Sequence, residues 1–219
     1  MKKLIMKNKI TLLITVLIIM FSQAEAQSQY ELPKEFKQYK DARNETVRVD
    51  QDFDKDGIND LAIIASKINS DDNKNNYLFV FLSKTYSSNK SGYYFPVMYS
   101  NGYDLNFEKS VLILSCCSGL GRYCETYKFK YYTDLSNMRL IGYDEENYGN
   151  AMHEGAYSKS VNLLTNKLEL KQSRYNEKKQ DFETFNRKKI KVSIPLITLE
   201  TIDQKTIDYL NNLGSNYFK

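Results

Sequence analysis

An acidic segment in the first third of the chain has the side chains and spacing of a calcium-binding loop. Four aspartates occupy positions 1, 3, 5 and 9 of such a loop: Asp52, Asp54, Asp56 and Asp60. Gly57 stands at position 6, where the chain must turn sharply, and Ile58 at position 7 offers its backbone carbonyl. Four neighbouring carboxylates repel one another until a cation neutralises them. We therefore predict that Ca²⁺ binds to these four carboxylates and the Ile58 carbonyl, and that binding is coupled to folding.

The residues around this loop differ from those of a helix–loop–helix sensor. Ile63 stands at position 12, where an EF-hand has a bidentate glutamate, and the flanking patterns are strand-like. The pattern D-x-D-x-D-G-x-x-D-L-A, beginning at Asp52, resembles the calcium loops of FG-GAP and VCBS-type repeats, in which the loop joins two β-strands. The unit occurs once, over about residues 47–65. The resemblance therefore implies a strand–calcium loop–strand hairpin in an exported protein, but it implies neither a propeller nor a specific activity.

A second resemblance covers about half of the chain beyond the N-terminal segment. Residues 118–123, 127–131, 139–144 and 160–167 resemble small secreted bacterial proteins of uncharacterised function. This resemblance implies export and supplies no catalytic residues.

Other reactive side chains lack a catalytic pattern. His153, the only histidine, lies in the polar stretch 144–155 beside several acids, where it could act as a general base or a metal ligand. A solvated loop histidine is the simpler interpretation. No serine stands in a G-x-S-x-G elbow, and residues 118–122 (SGLGR) are typical of a hairpin turn. The sequence thus favours a protein that is not an enzyme.

The three cysteines leave two interpretations open. Cys116 and Cys117 are adjacent, and Cys124 follows a glycine-rich turn. Adjacent cysteines rarely pair with each other, so one of the two could bridge to Cys124 and leave one thiol over. Alternatively, all three remain reduced and buried as small apolar side chains.

The elements that must position the acidic loop are mostly strands. Apolar or alternating patterns predict strands at residues 46–49, 61–65, 77–82, 93–99, 111–117, 123–132, 138–143, 157–164, 167–172 and 182–194. Residues 32–39 predict one or two helical turns, and Thr201 with Gln204 forms a capping box that predicts a C-terminal helix. We therefore expect a mainly β protein, a single antiparallel β-domain with short N- and C-terminal helices, closed as a barrel or as a two-sheet sandwich.

The first 26 residues have the composition of a secretory signal peptide. Four lysines precede an uncharged apolar run at 10–21, and Ala24 and Ala26 form an A-x-A cleavage site. The run is too short for a membrane span, which needs about 20 residues, so we expect no stable membrane insertion after cleavage. Loss of four lysines and Glu25 lowers the net charge from +4 to +1, a balance that gives no indication of nucleic-acid binding. The predicted mature domain is 27–219, located in the periplasm or outside the cell.

Two functional hypotheses follow. The first is an exported calcium-binding β-domain that acts as a non-enzymatic binding module of the bacterial envelope, of inhibitor or immunity type, with a protein or glycan partner. The second is a secreted hydrolase whose acid–base pair is two carboxylates brought together across strands, since such a pair needs no local sequence motif. A pocket that holds His153 or two close carboxylates away from the acidic loop would favour the hydrolase, whereas an exposed tyrosine-rich patch without such a pocket would favour the binding module.

Overall fold

The computed structural model describes residues 29–68, 75–98, 102–150, 152 and 154–217. The chain divides into two compact units, Met1–Pro33 and Lys34–Lys219. Of the first unit only residues 29–33 are described, so the predicted signal segment, residues 1–26, lies outside the described residues. The elements below belong to the second unit.

The acidic loop belongs to a five-stranded antiparallel sheet. Its strands are β1 (Phe36–Gln38), β2 (Arg48–Gln51), β3 (Asp60–Lys67), β4 (Asn76–Phe81) and β5 (Tyr93–Val97). β3 is the central strand, with β4 on one side, and β1 and β2 pairing with different parts of β3. Pro96 lies on β5, which pairs only with β4 among the described strands, as expected of a residue that cannot donate to a ladder.

The second sheet is a seven-stranded antiparallel meander in which each strand pairs with the next along the chain. Its strands are β6 (Gly102–Glu108), β7 (Val111–Ser118), β8 (Tyr123–Tyr132), β9 (Asn137–Asn147), β10 (Ala156–Asn162), β11 (Lys167–Asn176) and β12 (Asp181–Lys191). Short turns connect β7 to β8 and β10 to β11, as the glycine-rich and Thr-Asn sequences predict. β6 and β12 are not paired with each other in the described chain, so the sheet stays open.

The two sheets share one hydrophobic core. Ile64, Leu78 and Val80 of the first sheet and Leu112 and Leu114 of the second are fully buried in one cluster. Burying each such side chain contributes about 1.5–3 kcal/mol relative to leaving it exposed. Aromatic rings also meet across the core, since Phe95 of β5 lies 5.6 Å from Phe129 of β8 between ring centroids. The protein is therefore mainly β and antiparallel, as predicted, and the arrangement is a sandwich.

The predicted N-terminal helix is wrong. Residues 34–35 form a turn, and the following Phe36–Gln38 is strand β1, which pairs with the end of β3. Phe36 is buried against Phe79, with ring centroids 4.8 Å apart. The segment is extended because β3 offers it a ladder and an aromatic surface, which local propensity does not register.

The helices of the second unit are α1 (Ser83–Asn89) and α2 (Gln204–Asn212), followed by a 3₁₀ turn at Ser215–Tyr217. α1 was not predicted. α2 was predicted, but its N-cap is Asp203, whose carboxylate accepts from the Thr206 amide at 2.8 Å. The predicted Thr201–Gln204 capping box is therefore wrong, because the Thr201 hydroxyl accepts from the Thr198 amide instead.

Candidate functional site

The acidic loop connects β2 to β3, so it joins two antiparallel neighbours as the strand–loop–strand prediction requires. Carboxylate oxygens of Asp52, Asp54 and Asp60 lie within 4.8 Å of one another. Oxygens on opposite sides of one Ca²⁺ are up to about 5 Å apart, given Ca–O distances of about 2.3–2.6 Å. The three carboxylates could therefore hold a metal ion as they stand.

The loop can gather these carboxylates because its backbone turns back on itself. Gly57 has φ +88°, in the left-handed region that residues with a Cβ rarely adopt. The amides of Asp56 and Gly57 donate to the carboxylate of Asp52 at 3.1 and 2.9 Å. Asp52 is thereby held at the centre of the turn.

Asp60 is the buried member of the group, with 1% of its surface exposed. Its two oxygens accept from the amides of Phe53 and Ser83, both at 2.7 Å. The carboxylate thus links the loop to the first residue of α1. Burial raises the pKa of Asp60 to about 6, and the charge of Asp54 adds to this effect, whereas the two amide donors oppose it.

The pKa of Asp54 is raised by burial and, in part, by the repulsion between neighbouring carboxylates of the loop. Burial raises its pKa, and the negative charges of Asp56 and Asp52 raise it further. The pKa of Tyr131 on β8 is also raised, by burial and then by the charge of Asp54. A bound cation would reverse the effect of these charges, because it stabilises the ionised carboxylates.

The other two predicted ligands are arranged differently. Asp56 is outside the close group in the described chain, and its oxygens accept from the Ser83 hydroxyl at 2.7 Å and the Ile58 amide at 2.8 Å. Ile58 has a side chain that is about half exposed at the tip of the loop. The roles of Asp56 and of the Ile58 carbonyl as ligands stay predictions.

Comparison of the chain with protein-family models, with curated proteins and with solved structures found no match. No helix in the described part of the chain is both long enough and apolar enough to cross a membrane.

A second group of ionisable side chains lies inside the seven-stranded sheet. Glu125 of β8 and Glu145 of β9 are directly opposite each other, and Lys159 of β10 is opposite Glu145. All three are buried, with at most 4% of their surface exposed. We call these three residues the charged row. It brings two close carboxylates together across strands.

Each carboxylate of the charged row has donors from the protein. The hydroxyls of Tyr123 and Tyr127 donate to Glu125 at 3.0 and 2.7 Å. Glu145 forms an ion pair with Lys159 and accepts from the Tyr157 hydroxyl. Buried carboxylates are tolerated in proteins when they are paired in this way.

Lys159 also fastens the C-terminal helix to the sheet. Its ammonium donates to the carbonyls of Leu210 and Asn211, at 3.0 and 2.8 Å, in the last turn of α2. Burial lowers the pKa of Lys159, although the charge of Glu145 opposes this shift. Burial raises the pKa of Glu125, and the neighbouring Glu145 raises it further.

The cysteines resolve one alternative left open by the sequence. Cys117 and Cys124 are opposite each other on β7 and β8 and form a disulfide. Cys116 is a buried thiol whose pKa is raised by burial and by the charge of Glu125, so it is not an activated nucleophile. Disulfides are typical of proteins in oxidising compartments. His153 lies outside the described residues.

The sequence did contain a signal for the charged row, which was missed. Glu125 is in phase with Tyr127 and Phe129, whose side chains face the core in the alternating pattern of β8. Glu145 is likewise in phase with Tyr143, and Lys159 with Val161. A charged residue at a core-facing position of a strand indicates a buried partner. The loop contact of Ser83 had no such signal, because 23 residues separate it from Asp60.

Proposed function

We propose that this protein is an exported calcium-binding β-sandwich that acts as a non-enzymatic binding module of the bacterial envelope. The observation that carries the proposal is the convergence of Asp52, Asp54 and Asp60 in a loop that joins two strands. Carboxylate oxygens at this separation suit a hard cation, and Ca²⁺ accepts the irregular geometry that such a loop offers. The FG-GAP and VCBS resemblance points to the same ion.

Export is the second part of the proposal. It is supported by the signal-like residues 1–26 and by the disulfide between Cys117 and Cys124, which suits an oxidising compartment. Mass spectrometry of the protein recovered from the periplasm or medium should give Gln27 as its N-terminal residue and an intact disulfide. Recovery of the uncleaved chain in the cytoplasm, with reduced thiols, would contradict export.

Thermal and chemical unfolding with EDTA and with added Ca²⁺ tests the metal site. At a free concentration of 100 times its Kd, the ion should stabilise the protein by about 2.7 kcal/mol. The Asp54→Ala/Asp56→Ala variant should lose this gain, because it removes two of the predicted ligands. Asp134→Ala, which removes an exposed acid from the β8–β9 turn, is the matched control and should keep the gain. No stabilisation by millimolar Ca²⁺ would reject calcium binding.

The hydrolase hypothesis is kept as a second candidate because Glu125 and Glu145 meet across β8 and β9 and the pKa of Glu125 is raised. A raised carboxyl pKa is what a general acid needs. Against it, the two carboxylates are 2% and 4% exposed and already accept hydrogen bonds from tyrosines and lysine. Turnover of chromogenic glycosides that is lost in Glu125→Gln but retained in Asp54→Ala/Asp56→Ala would favour the hydrolase over the binding module.

A further inference from the structure

The last strand of the meander is a long open edge. β12 pairs with β11 and with no other strand in the described part of the chain. Most of its eleven residues are exposed. An open edge of this length exposes a row of backbone donors and acceptors to which another extended chain can pair.

The direction of the backbone groups follows from one hydrogen bond. The Val192 amide donates to the Asn166 carbonyl at 3.0 Å, so the backbone amide of Val192 points toward β11. Along an antiparallel strand, the backbone amides and carbonyls of successive residues point alternately toward one neighbouring strand and toward the other side. The register is regular from Arg187 to Lys191. The amides and carbonyls of Arg187, Lys189 and Lys191 therefore point toward the open edge.

The same three residues carry positive side chains on the outer face of the sheet. They are opposite Lys171, Glu169 and Lys167 of β11, whereas the intervening Leu168 and Leu170 face the core. We call these six residues the basic strip: Lys167, Glu169, Lys171, Arg187, Lys189 and Lys191. It has five cations and one carboxylate, in a protein whose predicted mature form has a net charge of only +1.

The single carboxylate of the basic strip does not neutralise it. Glu169 forms an ion pair with Arg187 and lies 3.5 Å from the ammonium of Lys171 and 4.0 Å from that of Lys189. The side chains of Arg187 and Lys189 remain 53% and 68% exposed. A shallow groove of about 840 Å³ runs along this surface between β10 and β12 and is lined in part by Lys167, Lys189 and Lys191. Cationic side chains thus remain accessible to a negatively charged partner.

Pairing of two β12 strands about Lys189 is disfavoured by these charges. It would bring the cations at 187, 189 and 191 of both copies together, and like charges on neighbouring strands are destabilising. An added strand with carboxylates at alternate positions has the opposite effect. It would place each carboxylate beside one cation while its backbone pairs with the outward groups of the same residues.

We propose that the open edge of β12 binds an extended acidic segment of a partner protein as an added strand. Carboxylates at alternate positions of this segment lie beside Arg187, Lys189 and Lys191. The inference rests on the proposed role as a binding module and names the class of partner. It does not depend on whether the acidic loop holds calcium.

A synthetic peptide of about nine residues, in which glutamate alternates with valine, is the probe for this proposal. Its affinity for the purified protein is measured by fluorescence anisotropy, in Ca²⁺ and in EDTA. A peptide with the same side chains but with N-methylated amides on its pairing edge has the same charge and cannot form the ladder. Lys189→Ala removes one cation, whereas Lys189→Pro removes the cation and an outward amide, a substitution that an edge strand tolerates.

The proposal predicts binding of the alternating peptide and at least tenfold weaker binding of the N-methylated one. Lys189→Pro should bind at least tenfold more weakly than Lys189→Ala, with an unchanged circular dichroism spectrum. Arg187→Glu/Lys191→Glu should abolish binding, and the exposed Lys84→Glu on α1 should leave it unchanged.

Equal binding of both peptides, or equal affinity of the two Lys189 variants, would mean attraction by charge alone and would overturn the added strand. No peptide binding, with a concentration-dependent dimer that Lys189→Pro dissociates, would assign the edge to a second copy and also overturn it. Absence of peptide binding in a protein that is still stabilised by Ca²⁺ would reject the added strand at β12 without rejecting calcium binding. Peptide binding in a protein that Ca²⁺ does not stabilise would reject calcium binding and support the added strand.

Discussion

Carboxylates are concentrated in two regions of this protein, and the two regions compensate their charge in different ways. In the charged row, Glu145 has an ion pair with Lys159, and Glu125 accepts from two tyrosine hydroxyls. In the acidic loop, Asp52 and Asp54 accept hydrogen bonds from backbone amides but have no ion pair among the described residues. The first region therefore contains an ion pair for one of its two carboxylates, whereas the close group of aspartates in the second has hydrogen bonds but no ion pair in the described chain.

The difference follows from how each region is built. The charged row takes one residue from each of three adjacent strands, so the partners are brought together only when the sheet forms. The loop takes its aspartates from nine consecutive residues, which are close together even in the unfolded chain. Like charges that are close in sequence can share one bound cation, whereas the members of a buried ion pair assembled across strands depend on each other, since removal of either leaves an uncompensated buried charge.

Breaking the charged row should have the largest effect. Lys159→Met leaves Glu145 buried without its cation, beside Glu125, and also removes the donor to the last turn of α2. Removing one partner of a buried ion pair typically costs about 3–5 kcal/mol. We expect a loss of this size in the free energy of unfolding, measured by urea denaturation.

Two further variants test whether the loss of stability arises because the ion pair is buried and one of its charges is left without a partner. Lys179→Met breaks an exposed ion pair with Glu183 and should leave the urea midpoint almost unchanged. Lys159→Met/Glu145→Leu removes both charges of the ion pair and should recover part of the stability that Lys159→Met loses. If Lys159→Met costs less than about 1 kcal/mol, the row does not depend on its ion pair and the contrast with the loop is wrong.

The sequence was a good guide to elements whose signal is local. Residues 123–132 were predicted as a strand and form β8 (Tyr123–Tyr132), because ten alternating residues specify both the strand and its buried face. The turn after β10 was predicted from Thr165 and Asn166, and Asn166 has a positive φ of 53°. The sandwich itself could not be told from a barrel, because closure depends on whether β6 and β12 meet.

Elements whose cause is remote in sequence were missed. β1 (Phe36–Gln38) exists because β3 provides a pairing edge for it, and α1 (Ser83–Asn89) has too few apolar residues to show helical periodicity. In the candidate site, the spacing predicted the grouping of Asp52, Asp54 and Asp60. It did not predict the contact of Asp56 with Ser83, which forms only when the end of β4 reaches the loop.

A smaller effect should appear in the pH dependence of Glu125→Gln. The pKa of Glu125 is raised above its ordinary value of 4.5, mainly by burial. At a pH between the ordinary pKa, which applies to the unfolded chain, and the raised pKa of the folded protein, Glu125 holds a proton in the folded state that it has lost in the unfolded state. The contribution of Glu125 to stability therefore falls as the pH rises through this range. Glutamine does not titrate. The variant should therefore gain stability relative to the original protein as the pH rises above 4.5.

Urea denaturation at a series of pH values measures this difference, and Glu177→Gln, at an exposed position in the β11–β12 turn, controls for the substitution itself. A difference that is independent of pH, or that moves in favour of glutamate as the pH rises, would show that Glu125 is ionised in the folded protein at no cost. The tyrosine donors would then compensate its charge fully.

The smallest expected effect is also the one that tests the comparison most directly. Asp54→Asn removes one negative charge from the acidic loop and keeps an oxygen that can accept from the Asp56 amide, a contact of 3.1 Å. In EDTA the variant should be as stable as the original protein or more stable by roughly 0.2–1 kcal/mol. The reason is that residue 54 no longer carries a negative charge for Asp56 and Asp52 to repel.

With Ca²⁺ present the order should reverse, because the loss of a charged ligand weakens binding of the ion. Urea denaturation in EDTA and in Ca²⁺ measures the stability difference between the variant and the original protein in each buffer. Asp134→Asn serves as the control, and its stability difference should be the same in the two buffers. A variant that is equally destabilised in EDTA and in Ca²⁺ would mean that Asp54 is compensated by the fold, as Glu145 is. The distinction between a loop that requires a cation and a row that supplies its own would then fail.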